Sequence, residues 1–256
     1  MRLTFFLSFF IMVPFAGCNY CGTNQACRID TRQITAARAT SAVNIDGRLD
    51  EKVWKKAPGY KLELPKDALN SSGMPRETGS LQMAWDNNNL YLAIDFNDSD
   101  IVAEGAADGL FHYKLGDICE LFIKPADQSW YWEIYATPFS KKSTFFFPSS
   151  GRLGLPSGFE GYTCGFKTAA QNYGTVNNWH DKDSHWTAEC AMPVKDITAR
   201  GEKFGPGTRW TVLVARYNYS RYLNTRGAEL SSFPQLSKTD FHTLDEYAIL
   251  NFPDNK

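Results

Sequence analysis

The feature that most constrains this chain is a period of two that recurs along most of its length. Leu90, Leu92, Ile94 and Phe96 alternate with Tyr91, Ala93 and Asp95, and Trp186, Ala188, Cys190 and Met192 alternate with Thr187, Glu189 and Ala191. Trp130, Trp132 and Ile134 interleave with Tyr131, Glu133 and Tyr135 in the same way, as do Trp210, Val212 and Val214 with Thr211, Leu213 and Ala215. Successive side chains of an extended strand point to opposite faces, so these runs are strands with one or both faces buried. Further strands are expected near residues 43–45, 81–86, 118–124, 142–147, 162–169 and 247–252, separated by turn residues such as Asp86-Asn87-Asn88-Asn89. The only helices expected are two short ones, at residues 50–57 and 194–200. Many short strands and almost no helix predict an all-β fold: a two-sheet antiparallel β-sandwich of immunoglobulin-like or jelly-roll type, with short peripheral helices.

The N-terminus has a different character. Arg2 precedes an apolar stretch over residues 3–15, which is shorter than the about 20 apolar residues a membrane-spanning helix needs and has the form of an export signal. The Ala16-Gly17-Cys18 that follows resembles a bacterial lipobox, with Phe15 where Leu is usual. Residues 1–17 are therefore expected to be a signal peptide, Cys18 the lipidated N-terminus, residues 18–40 a polar tether and residues 41–256 one folded domain. An ordinary signal peptide cut near Ala16 is the alternative. The expected location is the bacterial cell envelope, as a membrane-anchored lipoprotein facing the periplasm or the cell surface. With 27 basic and 28 acidic residues the net charge is -1, which excludes nucleic acid as a bulk electrostatic partner.

Export permits disulfides. Of the six cysteines, Cys164 and Cys190 sit in candidate strands flanking one long turn and are expected to form a cross-strand bond. Cys21 and Cys27 are placed to pair locally, which leaves Cys119 as a buried thiol. No tight Cys/His spacing supports zinc.

Four charged residues fall inside apolar strand patterns, where an unpartnered charge is costly. These are Glu120, Glu133, Glu189 and Arg216, and Arg216 is expected to satisfy one or more of the carboxylates. Glu120 and Glu133 lie on neighbouring strands of a hairpin closed by residues 125–129. Two close carboxylates suit a glycosidase acid and nucleophile, a cation site, or acceptors for sugar hydroxyls. The chain is also rich in flat side chains, with 18 Phe, 12 Tyr and 7 Trp, which serve a β core or a stacking surface equally well. Trp179, His180 and Tyr173 surround a long polar turn and are read either as an extension of such a surface or as incidental aromatics of an exposed loop.

Ile45-Asp46-Gly47-Arg48-Leu49-Asp50-Glu51, followed by Trp54, resembles the opening of the family 9 carbohydrate-binding modules. In the same order come Trp85-Asp86 with Leu90-Tyr91-Leu92, then Gly116-Asp117-Ile118-Cys119-Glu120-Leu121-Phe122-Ile123, then Tyr131-Trp132-Glu133-Ile134. Trp186-Thr187-Ala188-Glu189 with Met192-Pro193, and Phe241-His242 leading to Tyr247 and Leu250, complete the series. The resemblance implies a β-sandwich that holds a poly- or oligosaccharide between aromatic rings while acidic groups accept its hydroxyl protons. It places Glu120 at a sugar-contacting carboxylate and Phe241 at a stacking aromatic. Tyr113, near the position of the second clamp aromatic at Lys114, together with Glu133 and His242, completes the expected ligand-binding set.

The expected activity is non-catalytic carbohydrate binding in polysaccharide catabolism, on behalf of partner glycoside hydrolases. No cofactor is firmly implied; structural calcium is left open, with Asp95, Asn97, Asp98 and Asp100 as candidate ligands. One alternative is a glycoside hydrolase using Glu120 and Glu133. Another is a haem-binding sandwich using Met83 or Met192 with His242. The anchoring expectation has a direct check: Cys18→Ser should move the protein from the membrane fraction to the soluble fraction, and a variant that stays lipidated and membrane-bound contradicts it.

Overall fold

The computed structural model describes residues 32–68, 73–156, 162 and 164–253. The expected signal peptide, Cys18, Cys21 and Cys27 lie outside them. Thirteen strands follow in chain order: β1 (Gln33–Arg38), β2 (Tyr60–Lys61), β3 (Gly79–Trp85), β4 (Asn89–Asn97), β5 (Ile118–Pro125), β6 (Tyr131–Ala136), β7 (Lys142–Phe147), β8 (Leu155–Pro156), β9 (Lys167–Tyr173), β10 (His185–Pro193), β11 (Trp210–Asn218), β12 (Glu229–Phe233) and β13 (Ala248–Asn251). One short helix, α1 (Val194–Ile197), interrupts them. The first sheet runs β8-β7-β6-β5-β11-β13, with β12 beside β11, and the second runs β3-β4-β10-β9, with β2 beside β3.

Strand β1 belongs to both sheets. Gln33, Ile34 and Thr35 pair with Ile249, Leu250 and Asn251 of β13, while Ala36, Ala37 and Arg38 pair with Met83, Ala84 and Trp85 of β3. Both pairings are parallel, so the sandwich is mixed at this seam and antiparallel in its other pairings. A strand that switches sheets closes a corner of the sandwich. The span read as tether, 18–40, therefore ends earlier than expected: Ile34 and Ala36 are fully buried in the core, and this apolar alternation is too short to stand out in sequence.

The period-two runs do what their pattern demands. Leu90, Leu92, Ile94 and Phe96 of β4 meet Trp186, Ala188, Cys190 and Met192 of β10, and with Leu121, Ile123, Trp132, Ile134, Val212 and Val214 of the first sheet they fill the space between the sheets. Burying one such large side chain contributes about 1.5–3 kcal/mol. Most of the intervening residues are buried as well, Asp95 being exposed and Thr211 partly so. Tyr91, Ala93 and Ala191 on the outside of the second sheet lie under Ala39, Val53, Trp54 and Ala57. On the outside of the first sheet, Phe122, Tyr131, Leu213 and Ala215 pack with Leu236, Phe241 and Tyr247.

Several local expectations change. Residues 50–57 form turns instead of a helix and residues 43–45 form no strand, because this segment is shaped by what it covers. Glu189, buried on the outer face of β10, accepts hydrogen bonds from Trp54 Nε1 (2.7 Å), Gly47 N (3.0 Å) and Asp46 N (3.1 Å). Thr187 Oγ1 donates to the Gly47 carbonyl (2.7 Å), and Gln171 Nε2 to that of Asp46 (2.9 Å). The Asp46-Gly47 turn is thus tied to the sheet. Glu189 is therefore not the partner of Arg216. That guanidinium crosses to Asp98 at the end of β4, Nη2 to Oδ2 3.0 Å, with both side chains buried.

The expected bond between Cys164 and Cys190 is absent. The β9–β10 register sets Thr168 opposite Cys190, and its hydroxyl lies 3.5 Å from the sulfur. Cys164 comes before β9 begins and has no place in that register, and Cys190 is a free buried thiol, as is Cys119. Met83 and Met192 lie in the inter-sheet core whereas His242 packs against Phe122 on the outer face, so the candidate haem ligands are not brought together.

Gly47 offers a test of the turn. Its φ is +84°, and a Cβ there would sit 2.7 Å from the Ala170 carbonyl carbon. Gly47→Ala should cost roughly 2–4 kcal/mol, combining left-handed strain with a backbone clash. Urea unfolding measures it, and a loss below about 0.5 kcal/mol, within the ordinary range for neutral surface changes, would mean that the turn is not held against β9.

Candidate functional site

The β5–β6 hairpin sets Glu120 opposite Tyr135 and Phe122 opposite Glu133. Residues directly opposite in a sheet share a face, and this face is the outer one. Strand β7 adds Phe145 opposite Glu133 and Phe147 opposite Tyr131, and β11 adds Leu213, Ala215 and Tyr217. Two irregular segments rise beside this floor: Phe111 and Tyr113 between β4 and β5, and Asp240, Phe241 and His242 between β12 and β13. Together with Arg152, Leu153 and Gly154 they enclose a cleft of about 590 Å³.

The rings have different roles. Phe111 is 57% exposed and stacks on Phe145 at 5.5 Å with planes 8° apart, so one broad face is backed by protein and the ring is open to solvent. Tyr113 leans on Tyr135 and Tyr217, at 6.2 and 5.8 Å. Phe241 is only 5% exposed; Tyr217 packs edge-on to it at 5.7 Å, and Phe122 lies at 6.4 Å. It lines the cleft as packed wall more than as an open platform.

Both glutamates are buried and their acidities are shifted the same way. Burial and the nearby Glu133 hold the Glu120 carboxyl well above the ordinary carboxylate range. Glu133 is pushed up to about 7 by burial, although the Tyr135 hydroxyl donates to its Oε1. The other oxygen, Oε2, has no hydrogen-bond partner among the described residues. His242 Nε2 lies 3.8 Å from it, and burial lowers the affinity of that imidazole for a proton despite Asp240 nearby. The His242 ring is held by a 2.7 Å hydrogen bond between its Nδ1 and the Tyr131 hydroxyl.

All five residues expected to bind ligand, Glu120, Phe241, Tyr113, Glu133 and His242, line one cleft. The sequence reading missed Tyr135, Phe145, Phe147, Tyr217 and Asp240. The first three had a signal: Tyr135 is two residues from Glu133, and Phe145 and Phe147 are two apart, so each pair shares a strand face. Tyr217 and Asp240 depend on register and on an irregular loop, which leave no such signature. Trp179, His180 and Tyr173 are not part of the cleft: Trp179, 67% exposed, leans on His180, and Tyr173 stacks on His185.

Three of the four calcium candidates are otherwise engaged, and Asp95 is exposed. Asp98 pairs with Arg216, Asp100 accepts the Arg221 backbone N–H (2.8 Å), and Asn97 donates to the Thr78 hydroxyl. No group of three metal-ligating side chains converges among the described residues.

The Gly116-Asp117 segment is explained by what it holds. A Cβ on Gly116, whose φ is +137°, would meet the Val102 carbonyl oxygen at 2.2 Å. Asp117 accepts the backbone N–H groups of Val102 and Tyr219, each at 2.6 Å, and the Tyr219 hydroxyl donates to the Tyr113 carbonyl at 2.6 Å. Three residues on, Glu120 faces the cleft. The motif is half scaffold and half site.

A β-sandwich whose outer sheet face carries an aromatic cleft with buried carboxyls is a ligand-binding scaffold. Residues 45–144 match the family described as carbohydrate family 9 binding domain-like, so the resemblance read from the motifs holds. No curated protein matches the chain. Among solved structures, a chain from Bacteroides uniformis ATCC 8492, provisionally assigned as a carbohydrate-binding protein, superposes with a TM-score of 0.67 at 10% identity, covering 87% of this chain and 99% of its own. A family 9 carbohydrate-binding module from Caldicellulosiruptor kristjanssonii, solved with glucose, superposes with a TM-score of 0.52 at 13% identity, covering 88% and 98%. These likenesses establish the shared fold. The matched family segment ends at residue 144, so Phe145, Phe147, Tyr217 and the 240–242 wall of the cleft lie beyond it.

The raised Glu133 acidity makes a stability prediction. Its folded value of about 7 stands above the ordinary 4.5, so between these pH values the folded chain keeps a proton that the unfolded chain has lost. Stability from this group is complete below about pH 4.5 and is lost as pH rises through about 7. Glu133→Gln should remove roughly 2 kcal/mol of the fall in unfolding free energy between pH 5 and pH 8. Denaturant titrations at the two pH values test it; an identical fall in wild type and variant is the contrary outcome.

Proposed function

We propose that this protein is a non-catalytic carbohydrate-binding protein of the bacterial cell envelope. It is anchored through Cys18 and holds poly- or oligosaccharide for partner glycoside hydrolases in polysaccharide catabolism. The observation that carries the reading is the cleft: flat rings at Phe111, Tyr113 and Phe145 next to two buried carboxyls. The C–H face of a pyranose packs on an aromatic ring, and a fixed carboxyl supplies directional hydrogen bonds to hydroxyls. The family match and the glucose held by the Caldicellulosiruptor kristjanssonii module support the same ligand class.

Catalysis by Glu120 and Glu133 is the less favoured use of the pair. A glycosidase sets its two carboxyls apart, one kept protonated as acid and one ionised. Here burial drives both upward, and no Lys or Arg side chain is hydrogen-bonded or ion-paired to either among the described residues.

Phe111→Ala and Glu120→Gln should each weaken binding of the best ligand from a glycan array by about tenfold to a hundredfold, or about 1–3 kcal/mol. Phe111 is the better aromatic probe than Phe241, because its exposed ring can be removed without opening a core cavity. Calorimetric titration reads the change. Full affinity in both folded variants rejects the cleft as the site, and steady release of reducing sugar by wild type but not by Glu120→Gln establishes an enzyme.

A further inference from the structure

The cleft has an imbalance that a neutral sugar leaves in place. Glu120 and Glu133 are both buried on its floor, and Glu133 Oε2 has no hydrogen-bond donor among the described residues. The cations near the cleft stay at its margin. Lys238 is ion-paired with Asp240 at 2.9 Å, Arg152 is solvent-exposed, and the Lys114 ammonium lies over the rings of Phe111 and Tyr113 at 5.7 and 5.3 Å. His242, whose Nε2 lies 3.8 Å from Glu133 Oε2, is biased toward its neutral form by burial.

Two desolvated carboxyls beneath a collar of aromatic faces form the arrangement that attracts an organic cation, because the ring faces and the carboxylates carry the same sign of potential. A metal ion suits it poorly, since the pair and the neighbouring His242 and Asp240 do not converge into a group able to hold one among the described residues. A uronic acid is disfavoured because its carboxylate would meet Glu133, which ionises at about pH 7, with no cation on the floor to offset the two charges.

We propose that the preferred ligand of this cleft is a sugar with a free, protonated amino group, of the 2-amino-2-deoxyhexose class, whose ammonium bonds to Glu120 and Glu133 while its ring packs on Phe111. This rests on the carbohydrate reading above and specifies its substrate class. The ammonium supplies three N–H donors and one positive charge, which meets the open acceptor on Glu133 and favours the ionised form of two carboxyls that burial otherwise biases toward the protonated one. N-acetylation removes both the charge and two of the donors.

The test is calorimetric titration of the purified protein, near neutral pH, with three trisaccharides: the free-amine oligomer of glucosamine, its fully N-acetylated counterpart, and cellotriose. The free-amine oligomer should bind roughly tenfold or more tightly than either neutral one. Glu133→Gln and Glu120→Gln, each checked for cooperative melting, should abolish most of that preference while changing cellotriose affinity less. Neutral trisaccharides binding as tightly as the amine to wild type overturn the amino-sugar assignment and leave the carbohydrate reading intact, and that comparison needs no variant to fold. If no trisaccharide binds, whether or not a simple quaternary amine such as choline does, both readings fail together.

Discussion

A buried ion pair at one end of the sandwich organises much of what lies around it. Arg216, on the inner face of β11, reaches Asp98 at the end of β4 and spans the gap between the two sheets. The guanidinium also lies over the Phe96 ring at 4.9 Å and donates to the Glu77 carbonyl at 3.3 Å. Burial still pushes Asp98 up to about 6 against the pull of Arg216. Asp117, also buried and raised by burial and by Asp98, holds Val102 and Tyr219. Through Tyr219 the network reaches the backbone of Tyr113, so the charges between the sheets also position one side of the cleft. Removing one partner of such a pair typically costs about 3–5 kcal/mol, because it leaves the other buried and uncompensated.

The second organising constraint is that both faces of the first sheet are covered. Between the sheets the cover is hydrophobic and continuous. On the outside it is incomplete: Leu236, Phe241 and Tyr247 close part of the face, and the remainder is the cleft. Every residue facing outward from β5, β6 and β7 along that gap is therefore either aromatic, and content in a half-dry environment, or a carboxyl whose proton affinity has risen to suit it. On the opposite outer face Glu189 meets the same problem differently. It sits beneath the Asp46-Gly47 turn and Trp54 with three donors, a scaffold where Glu133 is a site. The contrast between these two in-strand glutamates lies in what covers them.

How legible this was can be followed residue by residue. The strands carrying the site were readable because Trp130 to Tyr135 and Trp210 to Ala215 alternate cleanly, and Glu120 with Glu133 stood out as charges inside apolar patterns. The short ordered motifs led to the sandwich and to five residues that the fold brings into one cleft. Strand β1 escaped because Ile34 and Ala36 are its only fully buried apolar positions, and a strand that pairs half with one sheet and half with the other leaves no mark beyond them. The partner of Cys190 was misread because a two-residue period says which face a side chain takes and nothing about which residue lies across from it.

The sequence alone thus determined the class of fold and the chemical character of the site. Alternation of apolar and polar residues, set by the geometry of the extended chain, is a local property and is written locally. The tertiary structure decided everything that depends on register and on irregular chain: that Thr168 and not Cys164 faces Cys190, that Arg216 answers Asp98 and not Glu189, and that Phe111, Tyr113 and the 240–242 segment meet over Glu120 and Glu133. Such meetings join residues up to about a hundred or more positions apart. Their energies come from burial and desolvation, which exist only once the sheets have closed.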